Sequence, residues 1–85
     1  MAAPIQITLK LFAIYQETYG TEMLSWQVPG GSTVKDILNQ IVEAHPSLAE
    51  WQSVTRFGVN LEFVPPETVL QDGDEVVLIP PVSGG

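Results

Sequence analysis

Thr33-Val34-Lys35-Asp36-Ile37-Leu38-Asn39-Gln40-Ile41-Val42-Glu43-Ala44-His45-Pro46 is the stretch that decides how the rest of this 85-residue chain must fold. Val34, Ile37, Leu38, Ile41 and Val42 recur at the spacing of one face of a helix, so they form a single apolar stripe. Ser32 or Thr33 caps the start, and Asp36, three residues after Thr33, stands in the Glu/Gln position of a capping box. Ala44-His45-Pro46 stops the helix. No other segment carries such a stripe, so this helix has to be buried against one face of a sheet.

The sheet is written on either side of it. Upstream, Ile5, Ile7, Leu9 and Leu11 alternate with Gln6, Thr8 and Lys10, the period of a half-buried strand, and Phe12 breaks the alternation. Ala13 to Tyr19 fits a short helical turn closed by Gly20. A second strand starts at Glu22, with Leu24, Trp26 and Val28 on one face, and Pro29-Gly30-Gly31 ends it. Downstream, Ser47 to Ser53 is a crossover that tucks Leu48 and Trp51 into the edge of the core. A third strand runs through Phe57 and Val59 and on to Leu61 and Phe63, with Asn60 at a turn or bulge position. Pro65-Pro66 ends it, Val69 and Leu70 anchor a loop, and Asp72-Gly73-Asp74 turns into a last strand, Glu75 to Ile79. The implied fold is α+β: a β-grasp (ubiquitin-like) mixed sheet of four to five strands packed on one main helix. Its first and last strands are parallel central neighbours.

Composition narrows the function classes. Ten acids against Lys10, Lys35 and Arg56 give a net charge of −7, too few cations to neutralise a useful run of phosphates, so nucleic acid is excluded as a partner. The absence of cysteine removes disulfides and thiolate metal sites. His45, the single histidine, has no second ligand at metal spacing and reads as a surface residue at a helix C-terminus. The carboxylates of Asp72, Asp74 and Glu75 fit a turn better than a calcium loop, which needs more oxygen ligands. No signal peptide and no membrane-length apolar run is present, so a cytoplasmic chain with no membrane contact is expected.

Two features exceed what a small fold needs. Val76, Val77, Leu78 and Ile79 are apolar without alternation, so Val77 and Ile79 should join Phe12 on the outward face and form a partner-binding patch. The chain then divides into a domain over 1–79 and an arm over 80–85, Pro80-Pro81-Val82-Ser83-Gly84-Gly85. The prolines push the arm into extended conformation, and six residues at about 3.1 Å each reach roughly 19 Å. Gly84 and Gly85 carry no Cβ, so their backbone can enter a narrow channel with the terminal carboxyl at the tip.

Leu70 to Gly85 closely resembles the end of the small subunit of molybdopterin synthase, the MoaD family, and Pro-Pro-Val-Ser-Gly-Gly is its most specific part. Leu11-Phe12-Ala13, Glu17, Gly20, Thr33-Val34 and Val59-Asn60 extend the match over nearly the whole chain. Gln16 departs from it: many members carry an arginine there, and any ion pair it makes is lost. The resemblance implies a non-catalytic sulfur-carrier subunit of a heteromeric sulfurtransferase, a heterotetramer. It also implies three partners: the large catalytic subunit, an E1-like adenylyltransferase and a sulfur-donor enzyme. Gly85 would be adenylated with ATP spent by the activating partner, converted to a thiocarboxylate, and would deliver sulfur to cyclic pyranopterin monophosphate. No cofactor or metal is implied for this chain. Phe12, Val77, Ile79, Pro80, Pro81, Val82, Ser83 and Gly84 would meet the partner. The alternatives are a sulfur carrier for thiamine thiazole synthesis, a ubiquitin-like protein modifier, and a β-grasp binding module with an incidental tail.

Overall fold

The computed structural model describes residues 3–81. Nine elements follow in order, beginning with β1 (Ile5–Leu11), α1 (Ala13–Tyr19), β2 (Met23–Val28) and α2 (Val34–Ala44). A 3-10 turn (Pro46–Leu48) leads into α3 (Ala49–Gln52), and β3 (Arg56–Val59), β4 (Glu62–Val64) and β5 (Glu75–Ile79) complete the chain. The strands form one sheet in the order β2-β1-β5-β3-β4. β1 and β5 are parallel and central, and every other pairing is antiparallel. This is the β-grasp arrangement expected from the alternation and the single stripe.

The capping box of α2 forms in full. Thr33 Oγ1 accepts from the Asp36 amide at 3.2 Å, and Asp36 Oδ2 accepts from the Thr33 amide at 2.9 Å. Val34, Ile37, Leu38 and Ile41 are buried, with Val42 packed at the margin. They meet Ile7, Leu9 and Leu11 of β1 and Val76 and Leu78 of β5 in the core. Thr33→Ala should therefore destabilise the fold by about 1 kcal/mol, read from urea melts with an unchanged slope. An unchanged midpoint would mean that the cap contributes nothing.

The Asp72-Gly73-Asp74 turn spends its carboxylates on backbone. Asp72 Oδ1 accepts from the Gln6 amide, and Asp74 Oδ2 accepts from the Gln71 amide, both at 2.8 Å. Gly73 has φ +88°, a conformation that favours glycine. Among the described residues, no group of three or more His, Asp or Glu side chains is arranged to hold a metal ion. None of the helices among them is long and apolar enough to cross a membrane.

One expectation fails. The third strand does not continue to Phe63: it stops at Val59, turns through Asn60 and Leu61, and returns as β4. Both turn residues have positive φ, 51° and 71°, as a two-residue hairpin of matching twist requires. Asn60 tolerates this and ties the turn down. Its Nδ2 donates to Asp74 Oδ1, its Oδ1 accepts from the Glu75 amide, and its own amide donates to the Glu75 carbonyl. The reversal puts Phe63 opposite Gly58 rather than in line with Phe57. Phe57 faces the core while Phe63 faces out.

Candidate functional site

The face of the sheet away from α2 carries the site. One row of paired residues crosses all five strands: Met23, Lys10, Val77, Gly58 and Phe63. Alternation sends these outward because Leu9, Leu11, Val76, Leu78 and Phe57 are buried inward. Phe12, Val77 and Ile79, named from the sequence as an outward patch, line a single apolar depression together with Gly58, Leu61 and Phe63. Phe12 is 50% exposed, Phe63 75% and Leu61 89%. Leu61 and Phe63 escaped the sequence reading, since an uninterrupted strand would have put them in line with the buried Phe57.

Gly58 keeps the depression open. A Cβ there would lie 3.6 Å from Val77 Cβ and 3.5 Å from the Glu62 carbonyl, ordinary contact distances. An alanine fits, whereas a longer side chain would project into the space between Val77 and Phe63. At the rim, Lys10 Nζ lies 3.4 Å from Glu75 Oε1. Both ends of this pair are partly solvated, so it adds little stability and leaves a charged border to an apolar centre. An apolar centre with a polar rim is the anatomy of a protein-docking surface rather than of a catalytic pocket.

The C-terminal stretch leaves from the edge of this face. β5 ends at Ile79, and Pro80 is buried, continuing the inward alternation of Val76 and Leu78. Pro80 was expected as the first residue of a free arm, but Pro81 is the first one exposed. Ser53, Val54, Thr55 and Arg56 share with Pro80 and Pro81 a second depression beside the exit. Val82, Ser83, Gly84 and Gly85, named from the sequence as the working end, lie outside the described residues.

Among the described residues, no buried side-chain nitrogen or oxygen lacks a hydrogen-bond partner. Tyr15 is fully buried, and its hydroxyl lies 2.5 Å from Thr55 Oγ1. Burial pushes the Tyr15 phenol up from its ordinary value, with the Thr55 hydrogen bond acting the other way, and burial raises Tyr19 as well. His45 packs edge-on against Tyr19, ring centroids 4.8 Å apart. The crossover around Trp51 joins the core and leaves the outer patch uncovered.

Known proteins agree with this geometry. Residues 9–85 match the ThiS family. A molybdopterin synthase sulfur carrier subunit from Chlamydomonas reinhardtii is 39% identical over 95% of this chain and 100% of its own. The crystal structure of SAMP1 from Haloferax volcanii superposes with a TM-score of 0.76 at 33% identity, over 94% of this chain and 99% of that one. A chain from the protein–protein complex of subunits 1 and 2 of the molybdopterin-converting factor from Helicobacter pylori 26695 superposes with a TM-score of 0.60 at 26% identity. That match covers 95% of this chain and 100% of the other. A β-grasp sheet with an uncovered outer face and a Gly-Gly end, matched by that family over nearly its whole length, belongs to the ThiS family.

Proposed function

We propose that this chain is the sulfur-carrier subunit of a cytoplasmic molybdopterin synthase, with the Gly85 carboxyl as its cargo site. A free α-carboxylate is an anion at neutral pH and a poor electrophile, so it must be activated. An E1-like adenylyltransferase joins it to the α-phosphate of ATP and releases pyrophosphate. Sulfide-level sulfur delivered by a donor enzyme then attacks the acyl carbon, breaks the bond to AMP and leaves a terminal thiocarboxylate. The arm beyond Pro80 next enters the large subunit and gives its sulfur to cyclic pyranopterin monophosphate, with water restoring the Gly85 carboxylate. Phe12, Leu61, Phe63, Val77 and Ile79 hold the body against that subunit, so that the tip meets the substrate as an intramolecular partner would. This chain contributes position and cargo, while ATP binding and acid–base chemistry belong to its partners.

The observation that carries this reading is the pairing of an uncovered apolar face with a Pro-Pro-Val-Ser-Gly-Gly end one residue past β5. The likeness to the Chlamydomonas carrier and to the Helicobacter subunit complex supports it. Co-expression with an E1-like activator and a sulfur donor, followed by intact-mass measurement, tests it. Exchange of one terminal oxygen for sulfur is expected, and an unaltered carboxylate in material that supports molybdopterin synthesis would overturn it. The likeness to SAMP1 favours one second reading, a protein modifier joined through Gly85 to lysines. The same experiment would then yield conjugates of higher mass instead of the thiocarboxylate.

A further inference from the structure

The end of β5 poses a mechanical problem. Pro80 has no N–H, so it cannot donate to the β-ladder that holds the strand up to Ile79. It is nonetheless buried, so side-chain packing must hold it. The register Arg56↔Ile79, carried one step further, sets Thr55 beside Pro80. Both lie on the inward face and both line the depression at the exit.

Thr55 is tied from the opposite side of β5. In the strand order β5 lies between β1 and β3. Tyr15 comes from α1, which follows β1, and Thr55 directly precedes β3. Their hydroxyls meet at 2.5 Å although the residues are 40 positions apart. The bond therefore joins the segment that follows β1 to the one that precedes β3, the two strands that flank β5. Thr55 has one hydroxyl proton, and it goes to the Trp51 carbonyl at 2.7 Å. Tyr15 is then the donor, and the chain of bonds runs Tyr15 to Thr55 to Trp51.

We propose that Tyr15 and Thr55 are positioning residues, a hydrogen-bonded strap across the exit of β5 that fixes Pro80 and so sets the direction in which the C-terminal segment leaves the sheet. The proposal deepens the carrier reading and rests on it. In transfer the body is held by its outer face and the arm by the partner's channel, so the root must satisfy both at once. With Pro80 as the root, the five residues that follow would reach roughly 16 Å if extended, and a root rotated by about 5° would move the tip by about 1.4 Å. An error of about 1 Å at a reacting centre costs on the order of 10²-fold in rate. A small loss of order at Pro80 is thus magnified at Gly85.

The test uses the double variant Tyr15→Phe/Thr55→Val, which removes both hydroxyls and keeps both shapes. The Trp51 carbonyl retains the Val54 amide at 3.2 Å, so no buried group is orphaned. Carrier thiocarboxylated in advance is mixed with the large subunit and substrate. The expected result is affinity for the large subunit within twofold of wild type, KM unchanged, and a kcat for sulfur transfer lowered by about tenfold or more. Thr55→Ser with Tyr15 intact, which keeps both hydroxyls, should transfer sulfur at the wild-type rate. Amide exchange at Leu78 and Ile79, read without any partner, should quicken in the double variant while α2 stays protected. Should the double variant fail to fold, Tyr15→Phe alone carries the same expectations at reduced size. Transfer at wild-type rate by a folded variant, or unchanged exchange at Leu78 and Ile79, would overturn the strap. A wild-type carrier that passes no sulfur would instead strike the carrier reading, with the exchange result still deciding whether the bond orders the root.

Discussion

If Gly85 is the cargo site proposed above, a chain ending at Gly84 is expected neither to accept nor to deliver sulfur, and to melt where the full chain melts. The last strand ends at Ile79 and the described core is closed by Leu70, Val76 and Leu78, all of which the truncated chain keeps. Delivery fails for a geometric reason. An extended arm shortened by one residue stops about 3.1 Å short, while reacting atoms must approach to about 3–3.5 Å. Even if the new terminus were activated, that shortfall should lower transfer by well over about 10²-fold, because about 1 Å already costs that much. Large-subunit affinity should change far less, since the outer face is untouched. The checks are intact mass after activation, product formation with the large subunit, and a thermal melt. Product formed at more than a tenth of the full-chain rate would sink the assignment of Gly85 as the cargo site.

What the sequence could and could not reveal divides along the kinds of signal it holds. The α2 stripe and its Thr33–Asp36 cap are local and periodic, and both appear as expected. So does the outward set of Phe12, Val77 and Ile79, because a last strand apolar on both sides exceeds what a sheet covered once requires, and the crossover around Trp51, which could have covered them, packs on the core instead. The β3–β4 hairpin is legible only as a turn or bulge at Asn60. Phe57, Val59, Leu61 and Phe63 keep an unbroken period of two, and the turn at Asn60-Leu61 lacks the glycine that usually marks such a reversal. Two cues pointed the other way: Asn60, which accepts a left-handed backbone, and Gly58, an otherwise unexplained gap in an apolar strand. Burial of Pro80 is masked by its chemistry, since a proline pair marks an exit from a strand, whereas residue parity from Val76 and Leu78 turns Pro80 inward. The Tyr15–Thr55 bond joins residues 40 apart, and no local pattern encodes it.

On the proposed carrier function, Phe63→Asp is expected to weaken docking to the large subunit while leaving the fold intact. Phe63 is 75% exposed on the three-residue edge strand β4, so the change should shift stability by no more than about 0.5 kcal/mol. In a docked complex the phenyl ring contributes about 1.5–3 kcal/mol through burial, and a carboxylate in its place must also be desolvated without a built partner. A combined loss of at least about 3 kcal/mol raises Kd more than a hundredfold. Leu61→Gly separates binding from folding more sharply. Leu61 holds φ 71° at the hairpin tip, a strained conformation for a branched side chain, yet it is 89% exposed and buries nothing in the free chain. Glycine relieves strain of order 1 kcal/mol, so melting should not fall, whereas docking should weaken about tenfold. Calorimetric titration against the large subunit, paired with thermal melts of the free chain, reads both signs. Wild-type affinity for Phe63→Asp would move the interface to another face. A Leu61→Gly chain that melts lower and binds as before would mean that this leucine serves the hairpin and not the partner.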